Sequence, residues 1–179
     1  MDVLNATGVP NGFALQLCHG LTGSSTASKQ GNMWIGGYDS TFTTSAMKYV
    51  AITADEWYVC VVNQFTVNGA VVSGITSINN PMSIIDSGTT LLSFNTQTNF
   101  NSFVTALQNA HVITLSSSLS SSQVSAFWAG TTGFSASAFT FSSVPVTISF
   151  KGTAGEDVPI NIPLTNLFPN DGGYIFFAV

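Results

Sequence analysis

The chain contains no arginine, and its cations besides two histidines are Lys29, Lys48 and Lys151, set against eight acids for a net charge of −5. So sparse a set of positive charges offers no footprint for a phosphate backbone, which excludes nucleic acid as a partner. Charged residues of both signs together reach only 6%. With few carboxylates to pair, few ion pairs are lost on protonation, and such a composition tolerates acid. Apolar runs such as Val59-Cys60-Val61-Val62 and Tyr174-Ile175-Phe176-Phe177-Ala178-Val179 are far short of the ~20 residues that cross a bilayer, so no transmembrane segment is expected. Met1-Asp2-Val3-Leu4 lacks the basic start and apolar stretch of a signal peptide, so any targeting sequence is expected outside this chain. His19 and His111 have no spaced His, Cys or acid cluster around them, and no metal site is expected. Cysteine is limited to Cys18 and Cys60, which could bridge or could each be a small buried hydrophobe.

What remains is an apolar chain, 45% hydrophobic over 179 residues, long enough for one domain with a proper core. Phe13, Leu15 and Leu17 alternate as a strand with one buried face. A Ser/Thr/Gly-rich loop over residues 20–31 follows, and Met33-Trp34-Ile35 restores a strand that Gly36-Gly37 closes. Residues 38–46 suit a surface excursion, residues 48–52 alternate again, and Asp55-Glu56 opens the next strand. Asn68-Gly69, between Phe65-Thr66-Val67 and Ala70-Val71-Val72, is a two-residue hairpin signal. A helix follows: Asn95 or Thr96 can cap it, and Phe100, Phe103, Val104 and Leu107 form a single apolar stripe. His111 falls at its end as a surface cap. The serine-rich residues 116–122 predict a surface connection or a short frayed helix, and Phe127-Trp128 a turn that packs two aromatics on the core. Residues 144–150 alternate cleanly. In Val158-Pro159-Ile160-Asn161-Ile162-Pro163 the prolines predict an edge strand, and residues 174–179 predict a further strand. Many short strands against one or two short helices make the class mainly β with antiparallel sheets. Asn5-Ala6-Thr7 fits a glycosylation sequon, which makes Asn5 a candidate for modification.

The chemistry points to Ile84-Ile85-Asp86-Ser87-Gly88-Thr89-Thr90. Two β-branched apolar residues run into Asp-Ser-Gly, which predicts a buried strand delivering a carboxylate to a tight turn that Gly88 relaxes. Ser87, Thr89 and Thr90 surround Asp86 with hydroxyls that can donate to it and hold it ionised. An ordinary acidic turn closing a core strand is the plainer reading of the same seven residues. The stretch resembles the second active-site motif of pepsin-like aspartic proteases. Met33-Trp34-Ile35-Gly36-Gly37-Tyr38-Asp39 is similar to that family's apolar strand closing on Gly-Gly-x-Asp. Glu56-Trp57-Tyr58-Val59-Cys60-Val61-Val62, followed by Phe65-Thr66-Val67-Asn68-Gly69, is similar to its W-x-V strand and x-N-G hairpin. Phe13-Ala14-Leu15-Gln16-Leu17-Cys18 resembles the entry to the family's C-terminal lobe, most like the memapsin or beta-secretase branch.

The resemblance implies one lobe of a bilobal acid protease, with residues 1–179 forming a single, incomplete C-terminal lobe that lacks the final strands. Aspartic proteolysis uses two carboxylates about 3 Å apart that share one proton and activate a water held between them. By resemblance Asp86 is one of the two. Ser87 stands where a hydroxyl ties the lobes together, Gly88 permits the turn, and Thr89 contacts the outer oxygen of the aspartate, with Thr89 and Thr90 beside bound substrate. The other acids, Asp2, Asp39, Asp55, Glu56, Glu156, Asp157 and Asp171, lie in no D-[ST]-G setting. The second carboxylate is therefore expected from an N-terminal lobe of the same enzyme or from a second copy, and the isolated chain is expected to be inactive. The alternatives are a protease-like binding domain without catalysis and a homodimeric single-lobe protease. The implied substrate is a polypeptide in extended form, with no cofactor. The parent protein would be secreted or reside in a lysosomal, vacuolar or other endomembrane lumen. In the resembling branch the cysteine that matches Cys18 pairs with one near the far C-terminus, beyond where this chain stops, so the resemblance implies a free or orphaned Cys18 over a Cys18–Cys60 bridge, and Ala126 stands where another family cysteine would be.

Overall fold

Short strands dominate because the sequence alternates in brief runs broken by Gly, Pro and Asn, and each run finds an antiparallel partner. The structure is a computed structural model that describes residues 8, 12–16, 31–42, 46–54, 57–89 and 91–179. Asn5, Leu17, Cys18, His19, residues 20–30, Asp55, Glu56 and Thr90 lie outside the described residues. The chain divides into two units, Met1–Met47 and Lys48–Val179.

In the first unit β1 (Phe13–Gln16) pairs antiparallel with β2 (Asn32–Ile35), setting Phe13 opposite Ile35 and Leu15 opposite Met33. Gly36 leaves the strand at φ 80°, a left-handed conformation open to glycine, and its N–H donates to the Gly12 carbonyl at 2.7 Å. The alternation expected here is present, but its apolar face is not buried: Phe13, Leu15, Met33 and Ile35 are all exposed. A two-stranded sheet needs a further layer to cover such a face, and none stands over it among the described residues of this unit. The excursion after it is ordered by Asp39, whose Oδ1 accepts from the Thr41 N–H at 2.9 Å and hydroxyl at 2.7 Å across the 3₁₀ turn Ser40–Phe42.

The second unit runs β3 (Val59–Cys60), β4 (Val62–Val67), β5 (Ala70–Val71), β6 (Ser83–Ile84), α1 (Gln97–Asn109), β7 (Ile113–Leu115), α2 (Ser121–Trp128), β8 (Phe134–Ser135), β9 (Phe139–Phe141), β10 (Val146–Lys151), β11 (Asp157–Asn161), α3 (Leu164–Leu167), β12 (Asn170–Asp171) and β13 (Tyr174–Ile175). Its largest sheet has the order β11-β10-β4-β5, so the proline-bearing β11 is an edge, as Pro159 requires. Asn68 and Gly69 both adopt positive φ, 53° and 77°, and turn β4 into β5. Thr96 rather than Asn95 caps α1, accepting from the Asn99 N–H at 3.1 Å. Phe103 and Leu107 of that helix are fully buried, and Phe103 meets Phe65 and Phe94 at ring separations of 5.5 and 5.2 Å. A second aromatic group, Phe127, Trp128, Phe168 and Phe177, packs at the C-terminal end of α2.

Several local expectations change. Residues 48–52 form no strand, only a bridge from Val50 to Gly152. The serine-rich stretch opens a well-capped helix, because Ser120 and Gln123 satisfy each other's backbone N–H groups in a capping box. Phe127 and Trp128 therefore reach the core from a helix instead of a turn. The last strand is two residues long. Beyond it the Phe176 and Ala178 N–H groups bond to the Pro169 and Leu167 carbonyls, which draws Phe177 into the core instead of into a ladder. His111 is exposed just past α1. Cys60 is a free, buried thiol, and burial pushes its pKa up. The architecture is mainly β, built of several antiparallel sheets and a few short helices.

Candidate active site

β3 and β6 form a separate two-stranded sheet, Val59 opposite Ile84 and Cys60 opposite Ser83, extended by the Ile85 N–H donating to the Tyr58 carbonyl at 3.0 Å. Asp86 follows as the chain leaves that sheet. Its Oδ1 accepts from the Gly88 N–H at 2.8 Å and its Oδ2 from the Thr89 hydroxyl at 2.6 Å, while the Thr89 N–H reaches the Asp86 carbonyl at 3.3 Å. A side chain closing on its own backbone two residues on fixes the direction of the carboxylate within the turn. The Thr89 hydroxyl first, then the Gly88 N–H, hold the Asp86 carboxyl below the usual aspartate range, against a smaller opposing effect of burial.

The donors are thus Gly88 and Thr89, not Ser87, and Thr90 lies outside the described residues. Gly88 suits this position for a different reason than a relaxed turn. Its φ is not in the left-handed region, but a Cβ there would stand 3.2 Å from Asp86 Oδ1 and push the carboxylate by a few tenths of an ångström, which the missing side chain avoids. The strand that delivers Asp86 is not buried. Ile84 and Ile85 are 47% and 49% exposed, because β6 is paired along one edge only and no helix covers its outer face among the described residues. Asp86 is exposed as well.

A cavity of about 400 Å³ opens at this point, lined by Asp86 and Thr89 together with apolar residues that include Ile84, Leu91, Ile148 and Phe150. Among the described residues Asp86 is the one acid lining it. The arrangement presents an ionised, oriented carboxylate in the lining of an apolar hollow. Such a group can accept a proton from a bound water, and a single carboxylate can do no more. Asn5, the candidate for glycosylation, lies outside the described residues. Among the described residues no cluster of three His, Cys, Asp or Glu side chains is placed to hold a metal, and no helix is long and apolar enough to cross a membrane.

Three asparagines hold the approach to this site; sequence reasoning passed over Asn79 and Asn99 and took Asn95 only as a candidate helix cap. Asn99, fully buried, donates to the Thr76 carbonyl at 2.8 Å and to Asn95 Oδ1 at 2.7 Å and accepts from the Thr76 N–H at 2.9 Å. Asn95 donates to the Ser77 and Asn80 carbonyls, and Asn79 bonds to Val62 and Ser83. The available signal was position: Asn99 sits four residues before Phe103, on the stripe that faces the core.

A search of curated proteins finds no match. A family profile described as eukaryotic aspartyl protease matches residues 13–167. That span takes in both strands of the first unit, the β3–β6 sheet and the whole Asp86 turn, and the chain belongs to the eukaryotic aspartyl protease family.

Proposed function

We propose that this chain supplies Asp86 as one of the two catalytic aspartates of an aspartic endopeptidase acting on extended polypeptides. The observation that carries the reading is the carboxylate itself: exposed, held ionised by Thr89 and Gly88, and set in the lining of an apolar cavity. Each oxygen accepts one hydrogen bond from the turn and keeps a further lone-pair direction open to a water. The water loses its proton to the ionised member of the pair, and the protonated member donates to the scissile carbonyl. A second carboxylate brought within about 3 Å would force the pair to share a proton. In this reading residues 1–179 are the C-terminal lobe, Ser87 faces the other lobe, and Thr89 and Thr90 flank the substrate. The substrate lies extended, its side chains seeking apolar walls. The parent enzyme works in an acidic lumen or outside the cell.

Met82, Ile84, Ile85 and Leu91 are all exposed around Asp86, an apolar surface that a partner must cover. An N-terminal lobe of the same polypeptide is the reading we adopt. A second copy related by two-fold symmetry is the alternative that this exposed rim also favours. Acid-pH hydrolysis of an unfolded protein by the enzyme isolated from its source, with and without Asp86→Asn, tests the reading. Loss of cleavage in the variant is expected. Cleavage that survives, or none in the parent, would make the chain a non-catalytic binding domain. The intact mass of the mature protein separates the partners: about twice that of this chain means a second lobe, the same mass a second copy.

A further inference from the structure

Asn79 makes contacts at the foot of β6 that the chemistry above leaves unused. Its side-chain amide meets both backbone polar groups of one residue: the Val62 N–H donates to Oδ1 at 2.9 Å, and Nδ2 donates to the Val62 carbonyl at 2.9 Å. The same Oδ1 accepts from the Ser83 hydroxyl at 2.9 Å. An amide placed in this way substitutes for the peptide group of a neighbouring strand. It fills the position where β3 has ended at Cys60 and β4 begins at Val62, and it ties that position to the first residue of β6.

Among the described residues the β3–β6 ladder has two residue pairs, extended by the bond from the Ile85 N–H to the Tyr58 carbonyl. So short a ladder specifies its own register weakly. A slip of one residue would exchange the faces of Ile84 and Ile85 and carry Asp86 along the strand by ~3.3 Å. The segment between β5 and β6 is anchored a second time by the same device, near its middle, since Asn99 brackets the N–H and carbonyl of Thr76. Asn95 spans the residues between these two anchors through the Ser77 and Asn80 carbonyls.

We propose that Asn79 is the positioning residue for Asp86: by bracketing Val62 and taking the Ser83 hydroxyl, it pins the register of β6 and so fixes where the carboxylate stands. The functional meaning rests on Asp86 being the catalytic acid, but the register claim is tested without proteolysis. Amide hydrogen exchange on the full chain compares the parent with Asn79→Ala. The Ile85 N–H is expected to exchange about tenfold faster or more, while those of Leu107 and Ile148 keep the parent's rates. Asn79→Asp keeps the Oδ1 acceptor and loses the donor, so it restores part of the protection, which mere loss of volume would not explain. In the active assembly Asn79→Ala lowers kcat and leaves KM unchanged.

Should Asn79→Ala fail to fold, Ser83→Ala removes one bond of the set and gives a smaller acceleration, again confined to Ile85. The proposal is overturned if Ile85 exchanges at the parent's rate in these variants, or if it accelerates only by the same factor as Leu107 and Ile148. Proteolysis unaffected by Asp86→Asn would defeat the functional reading and leave the exchange result standing.

Discussion

Replacing Asn99 by leucine removes the most heavily bonded side chain of α1 while keeping the same branched heavy-atom skeleton. The amide makes three hydrogen bonds, two from Nδ2 and one to Oδ1, and two of the three go to the backbone of Thr76. At a net ~0.5–1.5 kcal/mol per bond, the loss is about 1.5–4.5 kcal/mol. Thr76 is exposed, so water can reach its freed N–H and carbonyl, which places the expected value at about 1.5–3 kcal/mol. Against a typical stability of ~5–15 kcal/mol this is a large fraction, and it shifts the urea midpoint without a comparable change in slope. The control is Asn101→Leu on the exposed side of the same helix, expected to cost less than about 0.5 kcal/mol. Equilibrium urea unfolding followed by circular dichroism measures both. Midpoints for the two variants that agree within error would refute the claim that the buried amide holds the 75–83 segment.

Thr89→Val deletes the hydroxyl that contributes most to lowering the Asp86 pKa, so the carboxyl titration followed by ¹³C NMR should move up toward the ordinary aspartate range; an unmoved midpoint would show that the 2.6 Å contact does not persist in solution. Because the folded-state value is depressed, Asp86 contributes stability that is fully present above the unfolded value and is lost as pH falls through the folded one, a window below about pH 4. In the Thr89→Val protein that acid-side loss should shrink, and a scan of stability against pH reads it directly. Phe103→Ala empties a site enclosed by Phe65 and Phe94 and should cost about 3–5 kcal/mol in chemical denaturation, with a cost under about 1 kcal/mol contradicting its central place in the core. Gly88→Ala sets a Cβ 3.2 Å from Asp86 Oδ1; thermal unfolding should change little while the Asp86 titration moves upward, and a large loss of stability with an unchanged titration would reverse that assignment.

The parts of the fold legible in the sequence are those decided by local chemistry. Asn68-Gly69 had to turn because both residues take positive φ, and Pro159 had to lie on an edge because it cannot donate to a ladder. The α1 stripe emerged from its spacing alone. The Asp86 turn was legible as a carboxylate ringed by donors, since Asp, Gly and Thr at those offsets close on one another without outside help. What escaped was set by tertiary context. Ile84 and Ile85 read as buried because β-branched runs usually are, yet burial depends on a layer that the run itself does not specify. The serine-rich stretch read as a surface connection or a frayed helix because serine disfavours helix interiors, while Ser120 within it acts as a cap where that same chemistry stabilises. The asparagine contacts span 17 and 23 residues, separations at which no periodicity signals a partner.

Cys60 stands directly opposite Ser83 in the sheet that leads to Asp86, and its thiol is free and 2% exposed. Alkylating reagents attack thiolates that they can reach, and here both the burial and the raised pKa oppose the reaction. Modification must therefore wait for the sheet to open. The labelling rate of Cys60, assigned by peptide mass, becomes a clock for how often the strand bearing the carboxylate leaves its place, and a partner that covers this surface would slow that clock without touching the sulfur.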